Sequence, residues 1–257
     1  MSGEAPQALP VEGMLNPISG SGECMDSSAS RIVGEKKAVI FDLFHTLVSL
    51  RAAWGDRLPK VHEILGVSRE AWGGQLGARL HDLYVGEYLD AFEAVSEMAR
   101  TIDPAIPDEA IKKAAESITE TFAGALIRVP VETSEVLAGL KARGKRLGLV
   151  SNASVLEIGA WDRSPIASLF DSALFSCFTG CMKPDRRIYE MSMDALGVTP
   201  EQCVFVGDGG SQELEGAHDV GICAIMVAGM IRDVWPGRIE ERRQHADLMI
   251  EHLRELT

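Results

Sequence analysis

Asp42 closes the apolar run Ala38-Val39-Ile40-Phe41, and Thr46 follows it by four residues. A carboxylate between apolar neighbours is costly unless a metal ion or a substrate uses it. Such a carboxylate can attack phosphorus or an activated carbon, forming a covalent intermediate that water then cleaves. Asp208 stands in the same relation to a second apolar run, Cys203-Val204-Phe205-Val206-Gly207. Two such acids can share an oxygen-ligand site, and magnesium takes few protein carboxylates together with waters and substrate oxygens. Glu213, five residues on, can orient a metal-bound water or serve as a solvated acid at a helix start. Lys183, before Pro184, can neutralise charge near Asp42 and hold it ionised. Ser151 and Asn152 end a third apolar run, where they can bind the oxygens of a transferred group or form a turn. Thr46 reads as the residue that orders the Asp42 loop.

These side chains need a scaffold that brings three strand ends together. The runs Ala38–Phe41, Leu147–Val150 and Val204–Val206 are continuous rather than alternating, as expected of strands buried on both faces. In open α/β sheets the carboxyl edge is where ligands bind. From Val129 onward helix and strand alternate. Val136, Leu137 and Leu140 share a helical face with Gly144 as a C-cap; Leu174–Ser176 reads as a short strand. Ile188–Leu196 reads as a helix ended by Gly197, Ile222–Val227 as a strand, and Asp247–Leu256 as a strand end with a short terminal helix. This rhythm implies βαβ units, a parallel sheet and helices on both faces. Between the first two runs the period changes. Val61, Ile64 and Leu65, then Leu76, Leu80, Leu83 and Tyr84, then Phe92, Val95 and Met98, then Ile111, Ala114, Ala115, Ile118 and Phe122 recur at helical spacing. Pro104 and Pro107 separate the last two helices. The organisation expected is a leader over 1–35, a core domain over 36–50 and 129–257, and an inserted helical domain over 51–128. The leader is rich in Gly, Ser, Pro and Glu and reads as disordered.

The chain has 257 residues, 46% of them hydrophobic, and a formal net charge of -13. An acidic surface repels phosphate backbones and anionic bilayers, which argues against nucleic acid or membrane as partners. No apolar stretch reaches the roughly 18 residues of a membrane span, and residues 1–33 lack the basic start and apolar centre of a secretory signal. A cytoplasmic protein acting on a small anionic metabolite is expected, with Lys183 and a metal ion supplying the local positive charge. The five cysteines, Cys24, Cys177, Cys181, Cys203 and Cys223, form neither a disulfide framework nor a zinc site by spacing. Oligomeric state is not legible in the sequence.

The ordered set of motifs resembles the haloacid dehalogenase-like hydrolase superfamily. Asp42-Leu43-Phe44-His45-Thr46 matches its first motif, Ser151-Asn152 its second, Lys183-Pro184 its third, and Gly207-Asp208 with Glu213 its fourth. The resemblance implies a Rossmann-like α/β core and an α-helical cap that covers the Asp42 edge, excludes water and carries substrate selectivity. It also implies Asp42 as nucleophile and Mg²⁺ held by Asp42, the Phe44 main-chain carbonyl and Asp208. Phe44 departs from the pattern of the family's phosphatases, which usually carry a second Asp there. That acid protonates the leaving oxygen and later activates water, a contribution of roughly 10²–10⁴-fold. Three readings stand. The leaving group needs no proton, as with a halide, an enolate or an acyl phosphate; or the titratable neighbour His45 substitutes; or catalysis is lost and the fold serves regulation or interaction. The dehalogenase branch of the family carries an aromatic residue at this position, and Arg51 is a candidate for its halide cradle. That branch typically lacks the Gly-Asp pair and needs no metal. Intact Gly207-Asp208 favours a magnesium-dependent phosphatase-type hydrolase over a 2-haloacid dehalogenase type.

Overall fold

The computed structural model describes residues 28–50 and 60–257. Six strands form one parallel sheet: β1 (Ala38–Phe41), β2 (Arg146–Ser151), β3 (Ser172–Phe175), β4 (Cys203–Gly207), β5 (Cys223–Val227) and β6 (Leu248–Ile250), in the spatial order β3-β2-β1-β4-β5-β6. Phe41 of β1 pairs with Leu149 on one side and Val206 on the other. The winding direction therefore reverses between β1 and β4. A crevice opens beyond the carboxyl ends of the strands at such a reversal, and Asp42 and Asp208 are the residues that follow those two strands.

Side chains alternate between the two faces, as strand geometry requires. Val39, Phe41, Leu147, Leu149, Val204 and Val206 pack with helices α1 (Ser28–Glu35) and α5 (Val131–Ala142). Ala38, Ile40, Val150, Phe205, Ala224 and Met226 pack on the other face. There they meet α6 (Arg186–Leu196) and α7 (Glu213–Asp219). Gly197 ends α6 at φ +62, a left-handed C-cap that glycine adopts without steric cost.

Between β1 and α5 lie the short helix Val61–Leu65 and three longer ones, α2 (Arg69–Val85), α3 (Ala91–Ile102) and α4 (Asp108–Ile127), with no strand among the described residues. Pro107 sits at the N-cap of α4, where a missing N–H costs nothing. This block has its own apolar core around Trp72, Leu83, Val95, Met98 and Ile111, which Leu156 of the short helix Val155–Ile158 joins from the sheet side. No helix among the described residues is long and apolar enough to cross a membrane.

One expectation is corrected. Residues 28–35 belong to the folded structure, not to a disordered leader. Ala29 and Val33, one helical turn apart on α1, are each 1% exposed against the core. The Gly- and Ser-rich composition of the residues before them masked this i, i+4 pair.

Candidate active site

The turn after β1 is held from several directions. The Asp42 amide donates to the Val206 carbonyl at 2.9 Å, tying the end of β1 to β4. Leu47 and Val48 amides both donate to the Leu43 carbonyl, at 2.8 and 3.0 Å. Thr46 Oγ1 donates to Asp42 Oδ2 at 3.0 Å, so it orients the carboxylate. Lys183 Nζ donates to Asp42 Oδ1 at 2.6 Å and to Glu213 Oε2 at 2.5 Å, with its side chain only 2% exposed. Burial pulls the pKa of this ammonium down, but the Asp42 and Glu213 carboxylates together outweigh burial and hold it above the ordinary lysine range. Burial lifts Asp42 above the usual carboxylate range, with the Lys183 charge pulling the other way. Lys183 thus opposes protonation of Asp42. Glu213 is raised well above the usual range by burial and then by the Asp42 charge.

Asp208 completes the acidic group. Ligand oxygens of Asp42, Asp208 and Glu213 all lie within 4.8 Å of one another, and all three residues are buried. The glycines before and after Asp208 make this approach possible. A Cβ on Gly207 would sit 2.2 Å from Glu213 Oε1, and the Gly209 amide donates to that same oxygen at 2.8 Å. Asp208 Oδ1 accepts from the Gly210 amide at 2.8 Å, and Oδ2 accepts from Arg242 Nη1 at 2.5 Å. Arg242, from the short helix Ile239–Arg243, lies across the Trp235 ring at 5.2 Å from its centroid. Counted as ionised, the three carboxylates exceed Lys183 and Arg242 by one negative charge, an excess that burial opposes. The donor chemistry, all hard oxygens, and the surplus charge both fit a divalent cation.

The remaining sequence candidates divide. Ser151 Oγ is buried without a partner and lines the pocket that Asp42, Lys183 and Asp208 line, so it remains free to meet an incoming oxygen. Asn152 is otherwise engaged. Its Nδ2 donates to the Lys183 carbonyl at 2.9 Å and its Oδ1 accepts from the Lys183 amide at 2.7 Å. Its side chain therefore positions Lys183 instead of binding a transferred group. The Phe44 ring meets Phe122 of α4 edge-on at 5.6 Å, bringing the inserted block against the loop. None of the described backbone amides of the loop donates to the Phe44 carbonyl. His45 adopts φ +64, and its ring packs edge-on against Trp235 at 4.7 Å. Burial lowers its pKa, which favours the neutral ring, and Nδ1 has no partner. Arg51 lies outside the described residues.

The pocket has a volume of about 300 Å³. Besides the predicted residues it is lined by Arg242, Trp235, Tyr84 and Glu157. Glu157 is held by the Ser154 amide at 2.6 Å and the Ser154 hydroxyl at 2.9 Å, and burial raises its pKa. Sequence reasoning missed all four. Arg242 lies in a run of charged residues that reads as solvated helix, and Glu157 has a local signal only in the Ser154–Glu157 capping box.

Comparison with known proteins agrees with this fold. A family model described as haloacid dehalogenase-like hydrolase matches residues 36–221. A phosphatase of Mycobacterium tuberculosis is 30% identical over 206 residues, covering 76% of this chain and 90% of that protein. A glyceraldehyde 3-phosphate phosphatase of Methanothermobacter thermautotrophicus is 32% identical over 120 residues, 46% of this chain. The match spans about half of that relative's length, 52%. The fold is shared with a 2-haloacid dehalogenase from Pseudomonas syringae pv. Tomato DC3000, at TM-score 0.59 and 24% identity over 86% of this chain and 96% of that one. The buried Asp42–Lys183–Glu213 cluster at the sheet edge and the matching family model together show that the chain belongs to the haloacid dehalogenase-like hydrolases.

Proposed function

We propose that the protein is a magnesium-dependent phosphatase-type hydrolase of a small anionic metabolite, with Asp42 as its nucleophile. One observation carries this reading. The carboxylates of Asp42 and Asp208 follow adjacent strands and converge with Glu213 within 4.8 Å, while Lys183 holds Asp42 at 2.6 Å. Asp42 attacks phosphorus, the leaving oxygen departs with the bonding pair, and water then cleaves the phospho-aspartate to release inorganic phosphate. Thr46 and Lys183 fix one carboxylate oxygen each. The Ser151 hydroxyl donates to a phosphoryl oxygen, and Asn152 keeps Lys183 in place through its main chain. Asp42, the Phe44 carbonyl and Asp208 would hold Mg²⁺, with Glu213 in support. Bound there, the ion supplies Lewis-acid neutralisation of the phosphoryl charge. Phosphatase activity among the sequence relatives supports the choice of phosphorus.

A second reading, 2-haloacid dehalogenation, is favoured by Phe44 alone. Its ring and that of Phe122 form an apolar wall where the usual acid would stand, and a departing halide needs no proton. A panel of phosphate esters, acyl phosphates and 2-halo acids, each with magnesium and with chelator, tests the two. Magnesium-dependent phosphate release is the expected result. Halide release indifferent to chelator would replace the phosphatase reading, and silence on every substrate would favour a non-catalytic role.

A further inference from the structure

A second cavity, of about 360 Å³, adjoins the catalytic pocket. Leu50, Tyr84, Phe122 and Glu157 line both, so the two spaces meet along one wall. The annex is apolar in character: its other walls include Trp72, Leu76, Leu80, Leu83 and Ile118, and no lysine or arginine is among its described lining residues. Leu76 and Leu80, on α2, are 37% and 43% exposed. They therefore face the cavity and solvent together, so an apolar group can enter past them. An apolar cavity of about 150 Å³ accepts benzene; the annex therefore has room for one or two aromatic rings.

An independent observation points the same way. Phe44 stands where a proton donor would serve the leaving oxygen, and its ring contacts Phe122, which also lines the annex. The leaving group therefore departs past an apolar wall and without a proton from this position. With no donor at this position, an anion already stable in water leaves most readily, and an oxygen conjugated to an aromatic ring is such an anion.

We propose that the substrate is a phosphorylated aromatic compound, an aryl or aroyl phosphate, with its phosphate at Asp42 and its ring in the annex. The inference rests on the hydrolytic reading above for its chemistry, but not for its binding geometry. The Asp42 oxygen–phosphorus bond forms as the bond from phosphorus to the aromatic group's oxygen breaks. The electron pair leaves on that oxygen. Water then restores Asp42 and yields phosphate.

The test compares benzoyl phosphate with acetyl phosphate, whose leaving carboxylates are similarly stable, and benzylphosphonate with methylphosphonate, which bind without turnover. In the full chain with Mg²⁺, kcat/KM should favour benzoyl phosphate by at least about tenfold, in the range a filled apolar pocket provides. Calorimetric Kd should favour benzylphosphonate similarly. Leu76→Asn and Leu80→Asn change half-exposed side chains that the fold tolerates, and each should bring both ratios toward one. Hydrolysis of both acyl phosphates with equal efficiency, or ratios untouched by the leucine variants, would overturn the annex and leave the hydrolase reading intact. Preferential benzylphosphonate binding without any turnover would support the annex and sink the hydrolysis. No binding of either phosphonate together with no turnover would overturn both.

Discussion

Lys183→Met removes the ammonium that two buried carboxylates share and keeps an apolar chain of similar volume, so little of its effect comes from a cavity. In the wild type, Asp42, Asp208 and Glu213 face Lys183 and Arg242, an excess of one negative charge. The variant raises that excess to two, in surroundings where Asp42 and Glu213 are almost fully buried. Removing one partner of a buried ion pair costs about 3–5 kcal/mol. In a protein of this size each kcal/mol lowers Tm by about 2–4 °C, so Tm should fall by about 6–20 °C. The loss should depend on pH with a definite sign. Asp42 and Glu213 have pKa values raised in the folded state, so their contribution is fully present at pH below the unfolded value and declines as pH rises through the folded value. Without Lys183 both are raised further, so the penalty should be smallest near about pH 4 and grow upward from the ordinary carboxylate range. Excess Mg²⁺ should restore part of the stability, because an ion that binds only the folded state stabilises it by mass action. Urea denaturation at several pH values, with chelator and with magnesium, measures all three effects. A loss below about 1 kcal/mol that is the same at acid and neutral pH would refute the charge accounting.

Asp42→Asn should abolish turnover, since an amide is a far poorer nucleophile. It should leave Tm within a few degrees of wild type in thermal scans, because a neutral isostere escapes the burial that raises Asp42. Phe44→Asp should raise the turnover of alkyl phosphates, by up to roughly 10²–10⁴-fold if the new acid reaches the leaving oxygen; unchanged steady-state rates would show that it does not. Arg242→Gln frees Asp208 Oδ2 from its guanidinium partner. Calorimetry should then show divalent-ion affinity tightened by at least about fivefold, with Trp235 fluorescence in the wild type reporting displacement of Arg242 on metal addition. Weaker metal binding in the variant would mean that Arg242 supports the ion instead of competing with it.

The parts of the site legible in the sequence were those tied to strand ends. A continuous apolar run that terminates in an acid has a strong local signature, and β1 and β4 bring Asp42 and Asp208 together by pairing directly. Lys183 was legible only through its place in the motif order of the family that the sequence resembles; alone, a lysine before a proline reads as a surface residue. What remained hidden depends on long-range packing. Arg242 reaches Asp208 across 34 residues of sequence from a run of arginines and glutamates that looks like any solvated helix. Asn152 has the right chemistry for substrate, yet the Lys183 main chain meets both polar atoms of its side chain. The helical block was legible from its 3.6-residue period, but its annex was not. Leu76 and Leu80 fit that period as ordinary core residues, and only the structure leaves them uncovered.

In the proposed reaction Asp42 becomes covalently phosphorylated during turnover. Rapid acid quenching during turnover of benzoyl phosphate in the presence of Mg²⁺, followed by tryptic digestion and mass spectrometry, tests it directly. Cleavage after Lys37 and Arg51 isolates Asp42 on a single peptide. The expected result is a phosphate adduct on that peptide, localised to Asp42, absent in Asp42→Asn and absent with chelator. Turnover that proceeds while the peptide stays unmodified, or an adduct carried by another residue, would contradict it.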